Sequence, residues 1–164
     1  VSSMTDPYNS LTGLQTALNQ KEIVLDNCKT TDFIKMHADK PQGQPRFTFA
    51  RMEGKKVVSI VILIPAQPIE GMLCMAIGYA THKLRRKRGL AIKTIEAALK
   101  EFQHGMSRNG VSDIMIEAIV GKENIASQKL AKRVFMDEPR EGTDLYSGEA
   151  CFAYVRKLSE IVQD

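Results

Sequence analysis

Between Met72 and Phe135 the apolar residues change period and change back, and that alternation limits the folds open to the chain. Met72 to Thr81 reads as a strand. From Leu90 onward, Ile92, Ile95, Leu99, Phe102 and Met106 are spaced three, four, three and four apart, which predicts an amphipathic helix with one buried face. Gly105 and Gly110 offer places for it to stop. Asp113 to Val120 then alternates, with Ile114, Ile116, Ala118 and Val120 on one side of a strand. Asn124 precedes a shorter helix carrying Ala126, Leu130 and Val134. Strand, helix, strand, helix in succession predicts an α/β or α+β architecture with a mixed sheet.

The flanking segments are plainer. Residues 1–20 are polar, with Leu11, Leu14 and Leu18 suggesting a short helix or a surface arm ahead of a core at 21–156. Glu22 to Leu25 reads as a first strand, and Thr31-Asp32 before Phe33, Ile34 and Met36 reads as a short capped helix. Arg46 to Met52 and Lys56 to Ile64 form a β-hairpin about Glu53-Gly54, ended by Pro65-Ala-Gln-Pro68. Cys151 to Val155 is a final strand, and Leu145-Tyr146 can extend in the loop before it. At 164 residues and 43% hydrophobic, the chain suffices for one core, so residues 1–164 are expected to form a single domain.

Three dispersed cysteines, Cys28, Cys74 and Cys151, form neither a disulfide framework nor a zinc cage, and His37, His82 and His104 lack ligand spacing, so no metal site is expected. The longest apolar run, Val57 to Pro65, is too short to span a bilayer, and the polar N-terminus has no signal-peptide pattern. These features fit a soluble protein of the reducing cytoplasm, with no membrane partner.

The charge is concentrated in one place. The formal net charge is +4, yet Lys83, Arg85, Arg86, Lys87 and Arg88 alone carry five positive charges. Gly89 follows and opens the predicted helix. A helix N-terminus exposes unpaired N–H groups and about half a positive charge, so it attracts anions, phosphates above all. Gly89 permits close backbone approach, Ala91 keeps bulk away, and Arg86 and Arg88 add charge. Basic runs of this length also form solvated faces or nucleic-acid patches. The low aromatic content, 6% with no Trp, argues against base-stacking recognition, and no specific nucleic acid is expected.

The six residues Arg86 to Ala91 read R-x-x-G-x-A. They resemble the pyrophosphate-binding motif Q/R-x-x-G-x-G/A of the GNAT superfamily of N-acetyltransferases, and lie where that family places it, between a strand and an amphipathic helix. I-G-Y at 77–79 and His82 before the motif, and Asn124-Ile-Ala-Ser127 with the helix through Phe135 after it, are similar to the ribosomal-protein N-acetyltransferase branch. The resemblance, with a weaker echo at Ile23–Asp32, covers most of 21–156. Two departures stand out. The helix ends Arg133-Val134-Phe135 without the family's glycine before Phe, and the stretch from Phe33 to Arg46 is shorter than the branch's paired helices. The acceptor pocket is then open or built by another subunit, which is compatible with a homodimer.

The resemblance implies a GNAT-like mixed, mostly antiparallel central sheet flanked by helices on both faces, and transfer of an acetyl group from acetyl-CoA to a primary amine of a protein, peptide or small molecule. It implies a diphosphate site from Arg86 through Lys87, Arg88, Gly89 and Leu90 to Ala91, pantetheine contacts at Tyr79, Ala80 and Thr81, and an N–H near Ala80 facing the thioester carbonyl. Asn124 is balanced between helix cap and CoA contact. Glu117 is the candidate general base, against the reading of an ordinary exposed strand Glu. The position aligned with the family's helix Tyr is Ala131, which leaves Ser127 as the available hydroxyl, weighed against a role in its own first turn. Two alternatives stay open: a CoA-binding module of the same fold without turnover, and a small nucleic-acid-binding protein using residues 83–88. Acidic residues between Asp137 and Glu149 suit a cationic acceptor or a merely solvated loop.

Overall fold

The computed structural model describes residues 6–144 and 147–163. In chain order the elements are α1 (Pro7–Asn19), β1 (Asp26–Asn27), β2 (Lys35–Asp39), β3 (Arg46–Glu53), β4 (Lys56–Ile69), β5 (Met72–Thr81), α2 (Leu90–Arg108), β6 (Ile114–Gly121), α3 (Ile125–Phe135), β7 (Arg140–Thr143), β8 (Ala150–Lys157) and α4 (Leu158–Ile161). The strands form one sheet in the order β1-β2-β3-β4-β5-β6-β8-β7. Every neighbouring pair is antiparallel except β5 and β6, which run parallel and are joined by the α2 crossover.

The central strands are apolar on both sides because both faces are covered. Val57 to Val61 are consecutively buried. Ile60 packs with Leu11 and Leu14 of α1, while Val61 and Leu63 pack with Ile95, Ala98 and Leu99 of α2. Ala131, Val134 and Phe135 of α3 join the α2 side. At the start of α1, the Asp6 side chain accepts from the Tyr8 N–H at 3.0 Å and Pro7 occupies the first helical turn. Burying Leu11 and Leu14, at 2% and 7% exposure, stabilises the docked helix by about 1.5–3 kcal/mol each.

Several local expectations are corrected. Residues 31–36 do not form a helix: the Thr31 hydroxyl accepts from the Phe33 N–H at 3.0 Å, but Lys35–Asp39 pair along their length with Arg46–Ala50, and that ladder outweighs local helical preference. Asp39 and Arg46 close its far end with a two-bond ion pair. The first strand is Asp26–Asn27 rather than 22–25. Pro65 and Pro68 do not end β4, which continues to Ile69. Its pairing with β3 finishes at Leu63, so the prolines fall where β4 has β5 alone as neighbour, and a register shift accommodates the second. Helix α2 runs through Gly105 and stops before Gly110, whose φ is 77°. Strand β7 and helix α4 carry too short a pattern to be read from sequence. Leu145 and Tyr146 lie outside the described residues.

One buried carboxylate fixes the connection between β1 and β2. Glu101 of α2 is 6% exposed and accepts from the Lys29 N–H with both oxygens (2.8 and 3.1 Å), from the Thr30 N–H (2.8 Å) and from the Thr30 hydroxyl (2.9 Å). Burial opposes its ionisation, but these donors outweigh it and hold the carboxyl below its ordinary range. Replacing Glu101 with Gln leaves donors facing an amide N–H₂ and should cost about 1–3 kcal/mol, read from the urea midpoint at unchanged m-value. Because the folded-state value is depressed, the wild-type advantage should be present above the ordinary Glu range and fade as pH falls through the folded-state value. At the end of α3 the missing glycine is answered by Met136, 75% exposed with φ 51°, whose N–H donates to Lys132 C=O at 2.9 Å. Met136→Gly should therefore raise stability by about 0.5–1 kcal/mol in the same assay.

Candidate functional site: an opened strand pair at a helix N-terminus

The parallel register of β5 and β6 runs from Leu73 opposite Ile114 to Ala76 opposite Glu117 and then stops. Beyond that row β5 stays with β4 as far as Thr81 opposite Ser59, and β6 stays with β8 as far as Gly121 opposite Cys151. The two strands thus part, leaving Ile77–Thr81 and Ala118–Gly121 as the arms of a V. Main-chain groups on the inner edge of β5 are not engaged by β6 over that length. One side chain spans the gap: the Tyr79 hydroxyl donates to the Ser127 carbonyl in the first turn of α3 at 3.1 Å. Burial pushes the Tyr79 phenol up to about 12, so it remains a donor.

The open end of β5 leads into α2 through a tightly wound basic loop. His82 Nδ1 accepts from the Leu84 N–H at 3.2 Å and caps the 3₁₀ turn Lys83–Arg85. Burial and the surrounding Lys56, Arg85, Lys83 and Arg86 push the imidazole's value down, favouring the neutral acceptor form. Lys87 and Gly89 both have positive φ, 64° and 71°, and Gly89 is the N-cap of α2. Asp6 caps α1 and Asn124 caps α3 through side-chain oxygens, but α2 has no side-chain cap. Its first N–H groups are therefore directed outward at the mouth of the V with the positive end of a 19-residue helix behind them.

The five cations of the loop do different work. Lys83 Nζ and Arg86 Cζ lie 5.6 and 5.5 Å from the Tyr8 ring centroid, and Arg86 Nε donates to the Thr81 carbonyl at 3.2 Å. Arg85 Nε reaches both oxygens of Glu53, at 3.0 and 2.8 Å. Lys87 and Arg88 make no hydrogen bond or ion pair with the described residues. Neither Tyr8 nor Glu53 is legible in the sequence as a partner of this loop, because both come from elements distant along the chain.

On the other arm, Asn124 Oδ1 accepts from the Ser127 N–H at 3.1 Å, the helix-cap geometry weighed for it. Both main-chain groups of Ser127 are thus engaged while its hydroxyl has no partner among the described residues. Ala131 is 1% exposed and belongs to the core. Glu117 stands at the apex of the V, in the last paired row. Register places it on the face of Ala76, Gly78 and Ala80, the face α1 covers farther along. Burial raises its carboxyl. Its charge in turn helps raise the neighbouring Cys74 thiol, which burial pushes up to about 12, so that cysteine is not a ready nucleophile. At Gly78 an added Cβ would lie 3.2 Å from Pro7 Cγ, so the start of α1 rests against β5 close to this row.

The residues expected from the sequence therefore gather around one cleft: Tyr79, Ala80 and Thr81 on one arm, Arg86 through Ala91 at its mouth, Glu117 at its apex, and Asn124 and Ser127 beside the other arm. Among the described residues no group of three His, Cys, Asp or Glu is placed to hold a metal ion, and no helix is long and apolar enough to cross a membrane.

No protein-family profile matches the chain, and no curated protein sequence matches it. Solved structures do. A GNAT-family acetyltransferase from Streptococcus pneumoniae aligns over 93% of this chain and 95% of its own, with 14% identity and a TM-score of 0.52. The ribosomal-protein-S5-alanine acetyltransferase from Vibrio fischeri aligns over 73% of this chain and 64% of its own, with 10% identity and a TM-score of 0.54. Mutant forms of the spermidine/spermine N-acetyltransferase from Vibrio cholerae align over 71% and 69%, with 14% identity and a TM-score of 0.52. With its mixed, mostly antiparallel sheet, its single parallel pair and its helices on both faces, the chain has the fold of the GNAT-family acetyltransferases.

Proposed function

We propose that this protein is an N-acetyltransferase that moves an acetyl group from acetyl-CoA to a primary amine. The observation that carries the reading is the V between β5 and β6 with the uncapped start of α2 at its mouth. A thioester with a diphosphate-bearing tail needs these two features together: a helix end for the diphosphate and an unpaired strand edge for an amide-rich arm. Among the structural neighbours the acceptors are a ribosomal-protein alanine and spermidine or spermine. For this chain the acceptor class is a protein, peptide or small-molecule amine.

Acetyl-CoA supplies the activated acyl group when bound. The N–H groups from Gly89 to Ala91, with Arg86, Lys87 and Arg88, hold the diphosphate. The edge of β5 at Tyr79, Ala80 and Thr81 offers main-chain groups to the pantetheine amides, and a main-chain N–H near Ala80 steadies the charge that grows on the carbonyl oxygen. Glu117 removes the proton that the attacking amine must lose, and burial, which raises its carboxyl, makes it a stronger base than an exposed Glu. The Ser127 hydroxyl, without a partner among the described residues, gives a proton to the departing sulfur, whose solution pKa is about 8.5, and regains one from solvent. Asn124 keeps the first turn of α3 in position.

A second reading, a CoA-binding module without turnover, is favoured by one observation: Ala131 is a buried core residue where relatives of this branch use a helix Tyr, and the Tyr79 hydroxyl is already committed to Ser127. Nucleic-acid binding by residues 83–88 is less well supported, because Tyr8, Thr81 and Glu53 already engage three of the five cations.

Calorimetry with acetyl-CoA at physiological salt should show binding that Gly89→Asp weakens at least about tenfold, since the new carboxylate stands at the helix end. Absence of binding by folded wild type would sink both CoA readings. With an accepted amine, Glu117→Gln should lower kcat by about 10²–10⁴-fold. Wild-type kcat/KM should rise with pH through the raised Glu117 value as the base ionises, and that limb should vanish in the variant. Binding without turnover of any amine would select the module reading.

A further inference from the structure

Beside the first turn of α2, on the side away from β6, the end of β3 borders an open cavity of about 210 Å³. Arg51, Glu53, Arg85, Arg88 and Lys93 line it together with Phe33. Four separate parts of the chain supply these groups, Phe33 coming from the segment before β2. The end of β3 brings Arg51 and Glu53, the loop brings Arg85 and Arg88, and α2 brings Lys93.

Four cations and one carboxylate leave three positive charges without a counter-charge in the lining. Glu53 is bonded to Arg85, and Arg51 and Arg88 are close enough to add to the depression of its carboxyl. Arg51 is oriented from behind, with Nη1 donating to the Phe33 carbonyl at 2.9 Å and the guanidinium 4.3 Å from the Phe33 ring centroid. The side chains of Arg88 and Lys93 have no hydrogen-bond or ion-pair partner among the described residues. Concentrated like charge is destabilising unless something balances it. Here the cations meet in a concave site with two arginines held in place, rather than spreading along a convex face.

We propose that this cavity is a second anion site that takes a phosphate monoester, with Arg51, Arg88 and Lys93 as its ligands and the Arg85–Glu53 pair as its wall. A monoester carries nearly two negative charges at neutral pH and three acceptor oxygens, which match the uncompensated charge and the guanidinium donors better than a carboxylate or a phosphodiester does. Arg88 belongs to both the cavity and the R-x-x-G-x-A loop, so the two sites share a wall. A molecule bearing a diphosphate and, one ribose away, a phosphate monoester could engage both, and CoA is such a molecule. In that form the inference rests on the proposed acetyl-CoA reading. A separate phosphate-bearing metabolite would satisfy the same chemistry.

The test is calorimetry of the whole protein with CoA, dephospho-CoA and inorganic phosphate, comparing wild type with Lys93→Ala and with Arg88→Ala/Lys93→Ala. If the cofactor's own monoester occupies the cavity, wild type should bind CoA about tenfold or more tighter than dephospho-CoA, and the ratio should collapse toward one in both variants. The ratio is the readout because it cancels any general effect of Arg88 on the diphosphate. If wild type binds both forms of CoA equally, but binds phosphate in a manner lost in the variants and not competed by CoA, the site stands and its ligand is a separate phosphate. If neither form of CoA binds while variant-sensitive phosphate binding persists, the acetyl-CoA reading fails and the site survives. A CoA preference that the variants retain, or no preference together with no variant-sensitive phosphate binding, overturns the site whatever becomes of the acetyl-CoA reading.

Discussion

The early end of pairing between β5 and β6 is the constraint on which the rest of the structure depends. Four paired rows, from Leu73 with Ile114 to Ala76 with Glu117, suffice to join the two halves of the sheet. Past them, β5 is held by β4 and β6 by β8, so each arm keeps a full ladder on its outer side while its inner edge is released. An unpaired edge inside a sheet is normally a liability. In this protein it is flanked by the starts of α2 and α3, and a single Tyr79–Ser127 hydrogen bond ties the arms together on the helix side.

The chemistry assigned to each position follows from that opening. Glu117 occupies the last paired row, so its backbone is fixed by neighbours on both sides while its side chain stands where the strands begin to diverge. Partial burial there raises its carboxyl, which suits the role of base proposed for it. At the other end of β5 the chain turns through two left-handed residues into a helix whose N-terminus no side chain caps. Asp6 and Asn124 cap α1 and α3 through side-chain oxygens, whereas Gly89 offers α2 none.

The face of the sheet that carries Glu117 is covered from outside the short Phe33–Arg46 stretch. Glu101 holds the β1–β2 connection, and the helix on the Glu117 face is α1, which precedes β1. Pro7 rests against Gly78, two residues along β5 from the row of Glu117. Helix α1 thus flanks the face of the sheet on which Glu117 lies.

The sequence by itself determined the strand–helix–strand–helix core from Met72 to Phe135, because the period of apolar residues is set locally by helix and strand geometry. It also located the basic loop before α2, because Gly89 and the cations around it are adjacent in the chain, while Asn124, balanced there between cap and ligand contact, is seen as a cap in the structure. Tertiary structure decided the remainder. The strand at Lys35–Asp39 exists because Arg46–Ala50 lies beside it, and β4 passes through Pro65 because β3 has already ended. Arg85 is paired with Glu53 in the cavity wall, Arg86 is held by Thr81 and Tyr8, and Arg88 faces the cavity with Lys93 and Arg51. A run of basic residues states how much charge is present. Which of those charges remain free for a ligand depends on partners tens of residues away, and only the folded chain brings them together.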